Sequence, residues 1–71
     1  MKGVFYVVVN STGKIMQKKS HMFNDDLFHA ERYERLSTAI QKADSMSRYY
    51  MEDVSVFDNT GNEVYIRAYR A

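Results

Sequence analysis

Residues 36–51 read LSTAIQKADSMSRYYM, and this stretch decides the fold. Leu36, Ile40, Ala43, Ser47 and Tyr50 recur at spacings of three and four, with Ala39 and Met46 beside them, which predicts one amphipathic helix. Gln41, Lys42, Asp44, Ser45 and Arg48 take its opposite side. Thr38 followed by Gln41 fits a capping box, and Ser37 is an equally suitable cap. A helix of about 14 residues spans roughly 21 Å, the length of a strand of about six residues. One helix can therefore lie along one small sheet.

The chain on either side supplies that sheet. Val4 to Val9 is β-branched and aromatic throughout and apolar at both parities, which predicts a strand central in its sheet or covered on both faces. The turn Asn10-Ser11-Thr12-Gly13 follows, and residues 14–19 return as a second strand. Ile15 and Gln17 fall on one side of this strand and Lys14, Met16 and Lys18 on the other; its lysines suit an exposed edge. The far end repeats the device, with Val54 to Phe57 as a strand, a turn around Thr60-Gly61, and Glu63 to Tyr69 as the last strand. The expected architecture is α+β, of order ββαββ, with a four-stranded, mainly antiparallel sheet carrying the helix on one face.

Residues 20–35 are long for a connection in so small a domain. Asn24 is placed to cap a helical turn near residues 25–30, where Asp25 and Asp26 suit the helix dipole. Glu31 to Leu36 is expected to be irregular or extended, because one helix from Asp25 to Tyr50 would run roughly 39 Å and overshoot any strand here.

The 71 residues form one domain, 1–71, at the size where a single core only just offsets chain entropy. There is no cysteine, proline or tryptophan, but six tyrosines, four phenylalanines and five methionines. Absence of cysteine suits a reducing compartment. No charged segment and apolar run of signal-peptide form opens the chain, and no stretch approaches the roughly 20 apolar residues of a membrane span. A cytoplasmic protein with no membrane partner is expected. The net charge of +1 speaks against a chain built chiefly to neutralise phosphates. Residues before Asp25 nevertheless carry Lys2, Lys14, Lys18 and Lys19 and no acid, whereas the rest carries six basic and nine acidic residues.

No catalytic set, metal site or cofactor motif is expected. His21 and His29 bracket Asp25 and Asp26, but their spacing matches no compact ligand pattern. Ser20 and His21 are sequence neighbours and point opposite ways on extended chain. Gly3, Gly13 and Gly61 lie outside any phosphate-cradling pattern. The informative stretch is the last strand, whose alternation predicts Val64, Ile66 and Ala68 toward the helix and Tyr65, Arg67 and Tyr69 outward. Tyrosine and arginine are enriched where proteins bind one another. They also stack bases and contact phosphates, and they are ordinary filler of small sheets as well. The expected partner-binding residues are Tyr65, Arg67, Tyr69 and Arg70, joined by Tyr6 if it shares that face. Phe28 and His29 in the loop are candidates too, since apolar residues in a surface connection either fold back or meet a partner.

A strand opening the chain, two Thr-Gly hairpins, and Ala30-x-x-Tyr33-x-x-Leu36-x-x-Ala39-Ile40 leading into a single helix resemble, in layout, the small accessory proteins encoded by tailed bacteriophages. The resemblance implies a monomer or homodimer that inhibits or modulates one bacterial host protein, in the host cytoplasm. It carries no site residue, and the near-neutral charge departs from the acidic DNA mimics among such proteins. The alternative reading is a small RNA- or single-stranded-DNA-binding protein using the same tyrosines, with Lys14, Lys18, Lys19, Arg67 and Arg70 on phosphates.

Overall fold

A computed structural model describes residues 3–18, 22–26 and 28–70. The expectations attached to Lys2, Lys19, Ser20, His21 and Leu27 lie outside the described residues. In chain order the elements are β1 (Tyr6–Asn10), β2 (Ile15–Met16), β3 (Phe23–Asn24), α1 (Leu36–Tyr50), β4 (Val54–Asp58) and β5 (Glu63–Arg67). All pairings are antiparallel, and the sheet runs β3-β2-β1-β4-β5. The domain is α+β with one helix, and β1 is central, as its two-sided apolar sequence predicts.

The core forms where α1 crosses the middle of the sheet. Ala39, Ala43, Met46 and Ser47 are the buried helix residues, and the first three cluster with Val8, Val54, Val56 and Met16. Alanine at the closest approach lets the helix lie near the strands, while Leu36, Ile40 and Tyr50 on the same stripe are half-buried. Tyr6, Phe23, Tyr33, Tyr50 and Tyr65 pack around this core.

Four expectations need correction. The sheet has a fifth strand, because Phe23–Asn24 pairs with β2 inside the segment read as loop. Two residues are too few to show an alternating pattern; what fixes them is Phe23, whose ring meets Tyr50 edge-on at 5.5 Å between centroids. This places β2 inside the sheet rather than at its edge, with Met16 fully buried toward the helix. No helical turn occupies the segment around Asp26 among the described residues. Instead Asp26 Oδ1 accepts the N–H groups of Phe28 at 3.0 Å and His29 at 3.3 Å, and the chain then runs extended, bridging Ala30 to Gln17 and Tyr33 to Tyr6. Finally, α1 begins without a side-chain cap: Arg35 holds the cap position in extended conformation, and Ser37 and Thr38 lie inside the first turn.

The helix ends at Met51, which adopts a left-handed conformation at φ 57° and ψ 49°. Its N–H donates to the Ser47 carbonyl, which also accepts from Glu52 N–H at 3.2 Å, and the Ser47 hydroxyl donates to the Glu52 carbonyl at 2.8 Å. Left-handed backbone costs a residue with a Cβ about 1–2 kcal/mol, and the Met51 side chain is 65% exposed, so little packing offsets that cost. Met51→Gly is therefore expected to raise stability by about 1 kcal/mol, seen as a higher urea midpoint with unchanged slope.

Both hairpins use one device. Asn10 Oδ1 accepts Thr12 N–H, Thr12 hydroxyl and Lys14 N–H at 3.1, 3.0 and 2.9 Å. Asp58 Oδ1 accepts the equivalent Thr60 N–H, Thr60 hydroxyl and Asn62 N–H at 2.9, 2.7 and 3.0 Å. Gly13 and Gly61 supply the positive φ, at 85° and 91°, that such turns need. Donation by the Thr60 hydroxyl, with the turn's N–H groups, holds the Asp58 carboxyl below its ordinary value of 3.8. Its folded pKa lies below the unfolded one, so its contribution is complete above the ordinary carboxylate range and is lost as pH falls through the folded value. Asp58→Asn keeps the acceptor and removes the titration. Its stability should match the parent at pH 7 and fall less steeply below pH 4, in denaturation curves collected across acid pH.

Candidate binding surfaces

Pairing register settles which side chains share a face, since residues directly opposite in an antiparallel pair point the same way. Val8 pairs with Val56, and Val56 with Tyr65, so Tyr65 points to the helix side with the core. Arg67, opposite Val54, does the same. The face assignment of the last strand is thus reversed: Ile66 and Val64 are the exposed residues, at 54% and 41%, and Tyr65 is half-buried. A register shift between Val56 and Phe57 sets this pairing. The physical reason is that β5 lies at the sheet's margin, where one helix no longer covers an aliphatic side chain. A tyrosine reaches inward there with its ring and keeps its hydroxyl at the surface. That hydroxyl donates to Asp44 Oδ1 on α1 at 2.7 Å. The carboxylate acceptor raises the Tyr65 pKa, and the Arg67 guanidinium beside it pulls the other way.

The expected binding residues therefore fall into three groups. Tyr6 packs against the core and exchanges backbone hydrogen bonds with Tyr33 at 2.8 and 2.9 Å. Tyr65, Arg67, Tyr69 and Arg70 line a groove of about 450 Å³ between β5 and the end of α1, together with Ser47, Arg48, Ile66 and Ala68. Phe28 and His29 stand across the sheet, beyond β2, and do not join that groove. There Phe28 is 80% exposed, its ring edge-on to His29 at 5.0 Å. His29 Nδ1 lies 2.5 Å from Asp26 Oδ2, and this contact holds the Asp26 carboxyl below its ordinary value.

A second surface lies on the sheet face away from α1. Phe5, Val7, Val9, Ile15 and Phe57 line a groove there of about 450 Å³, bounded by Gly13 in one turn and by Asn59 and Gly61 in the other. Val7 pairs with Phe57 and Val9 with Ile15, so the apolar side chains form adjacent rungs. Arg32 sits at the margin, its guanidinium 4.9 Å from the centre of the Phe5 ring. No helix or strand among the described residues covers this face. The signal for it was the apolar character of β1 at both parities; for Arg48 the sequence offered only a polar helix position.

Among the described residues no cluster of three His, Cys, Asp or Glu side chains is arranged to hold a metal ion, and no helix is long and apolar enough to cross a membrane. Comparison of the chain with protein families, with curated proteins and with solved structures finds no match.

The Tyr65–Asp44 contact ties the outer strand to the helix and is part-buried. A double-mutant cycle of Tyr65→Phe and Asp44→Ala should give a coupling of about 1 kcal/mol, measured by urea unfolding of the four proteins.

Proposed function

We propose that this chain is a non-enzymatic protein-binding module that receives an apolar helix of one partner protein on the bare face of its sheet. The supporting observation is the groove along β1, with half-buried Phe5, Val9, Ile15 and Phe57 around a buried Val7 and no helix or strand among the described residues laid over it. A contiguous apolar surface rimmed by polar residues is the usual mark of an interaction site. The occupant is inferred from the opposite face. There an amphipathic helix lies along the same strands and contributes alanine at the close approach. The five residues of β1 extend about 17 Å, which three turns of helix match at about 16 Å, and docking a helix in a groove is a recurrent recognition mode. Arg32 at the rim offers a cation to an acidic residue flanking the incoming apolar stripe. The resemblance to phage accessory proteins makes the partner a bacterial host protein, whose activity the module inhibits or redirects.

The test is capture from nuclease-treated bacterial lysate with the parent chain and with Val9→Glu/Ile15→Lys. These two positions are cross-strand partners, so the exchange preserves net charge and puts opposite charges side by side in the middle of the groove. The expected result is one near-stoichiometric protein, lost with the variant while its circular dichroism and unfolding remain cooperative. Capture that survives the variant refutes the face. A chain that is itself dimeric, and becomes monomeric in the variant, assigns the groove to a second copy instead.

A further inference from the structure

The groove between β5 and α1 has a composition that protein docking on the opposite face does not use. Arg48 reaches it from the last turn of the helix, Arg67 from the strand and Arg70 from the segment beyond, and among the described residues no Asp or Glu joins its lining. Among the described residues none of these three guanidinium groups has a carboxylate within ion-pair distance; the ion pairs there join Lys14 to Asp25 and His29 to Asp26. The two acids bonded to residues of the groove accept from other donors. Asp44 accepts the Tyr65 hydroxyl, and Asp53 accepts the Tyr69 N–H at 2.9 Å, which also anchors the chain beyond β5. At the helix end, the Ser47 carbonyl is occupied by the Met51 and Glu52 N–H groups, which blunts the negative potential of that terminus. Arg67 stands beside the Tyr65 hydroxyl; in a chain of net charge +1, three cations around one concavity with no carboxylate partner among the described residues are a local excess.

Two further features narrow the ligand. Arginine presents a planar fork that matches the oxygens of a phosphate. Tyr65 and Tyr69 place two aromatic rings in the same groove, Tyr65 being fixed by its bond to Asp44. An acidic peptide would use the guanidinium groups and leave the rings idle. A strand of nucleotides uses both, through phosphate contacts and stacking of unpaired bases. The groove is open and about 450 Å³, within the usual range of about 300–1,000 Å³ for small-ligand sites, and it lies at the sheet edge, where a chain can enter and leave. We propose that this groove binds single-stranded nucleic acid, with Arg48, Arg67 and Arg70 on successive phosphates and Tyr69 stacked on a base. The site is separate from the helix-docking face and stands or falls independently of it.

Binding of a fluorescein-labelled decauridylate, followed by anisotropy at several salt concentrations, tests the proposal. Three phosphate contacts predict a slope of log affinity against log salt of about −2, falling in magnitude by about 0.7 for each of Arg48→Gln, Arg67→Gln and Arg70→Gln. Tyr69→Leu should weaken binding about tenfold or more, whereas Tyr69→Phe retains it. Val9→Glu/Ile15→Lys should bind the oligonucleotide like the parent. Three results would overturn the assignment: no binding at 50 mM salt, affinity and slope indifferent to the arginine substitutions, or displacement by oligoglutamate of equal charge as readily as by unlabelled decauridylate. The last of these would reassign the groove to acidic peptides. Loss of binding in Val9→Glu/Ile15→Lys but not in the arginine variants would move the nucleic acid to the other face and likewise overturn it.

Discussion

The contact between Ala39 and Ala43 of the helix and Val8, Val54 and Val56 of the sheet is the constraint on which the rest of this structure depends. It brings the helix axis close to the two central strands, and so fixes what one helix can cover. Five strands spaced about 4.8 Å apart are about 19 Å wide, against a helix diameter of about 10–12 Å. The margins must be sealed by something other than a second helix. Tyr6, Tyr33, Tyr50, Tyr65 and Phe23 do this, half-buried around the core, and a tyrosine there can end in a polar contact as Tyr65 does at Asp44. The aromatic content of the chain thus has a structural cause before any functional one. Tyr33 shows how far the sealing goes: burial, with the Glu31 carboxylate nearby, pushes its phenol up to about 12.

The two hairpins hold the strands at the ends that the helix leaves open. Each closes around a side-chain oxygen in the first turn position, followed by threonine and by a glycine at positive φ. Because the acceptor is neutral in Asn10 and ionised in Asp58, the same geometry is indifferent to acid at one end and sensitive at the other. The first turn is also tied to the helix end, where the Ser11 hydroxyl donates to Glu52. Turn, cap and strand β4 therefore meet at one corner, next to the left-handed Met51.

Much of this was legible in the residues. The stripe from Leu36 to Tyr50 gave the helix within its bounds, the parity of β1 its central place, and the paired Thr-Gly segments the two turns. What escaped has identifiable causes. Phe23–Asn24 is too short for periodicity and is held by a tertiary ring contact. The helix start carries cap-forming residues, Ser37 and Thr38, but Arg35 sits at the boundary because the extended chain pinned by Tyr33 delivers it there. Alternation in β5 separates Val64, Ile66 and Ala68 from Tyr65, Arg67 and Tyr69 but does not say which set faces the helix, and the pairing reverses the choice that favours the aliphatic set. At a sheet margin, the residue that points inward is the one long enough to reach the helix flank and polar enough to end at Asp44. Reversing that face moved the candidate basic and aromatic residues from the open sheet to a groove, and brought Arg48 to them.

That reversal also separates two requirements that the sequence had appeared to merge. An apolar surface favours a partner through area removed from water, is little affected by salt, and tolerates a range of shapes. Unpaired guanidinium groups favour a partner through charge, fade as salt rises, and demand planar acceptors. Had Tyr65 and Arg67 shared a face with Val9 and Phe57, one mixed interface would have explained both. With the sheet between them, each set must be accounted for on its own terms. The apolar rungs of β1 and β4 are present although the helix on the other side already supplies the domain with a core, and among the described residues the arginines have no carboxylate partner while Asp44 and Asp53 accept from Tyr65 and Tyr69. In each case the fold leaves unused an interaction within its reach, and that is the physical ground for looking outside the chain for what completes it.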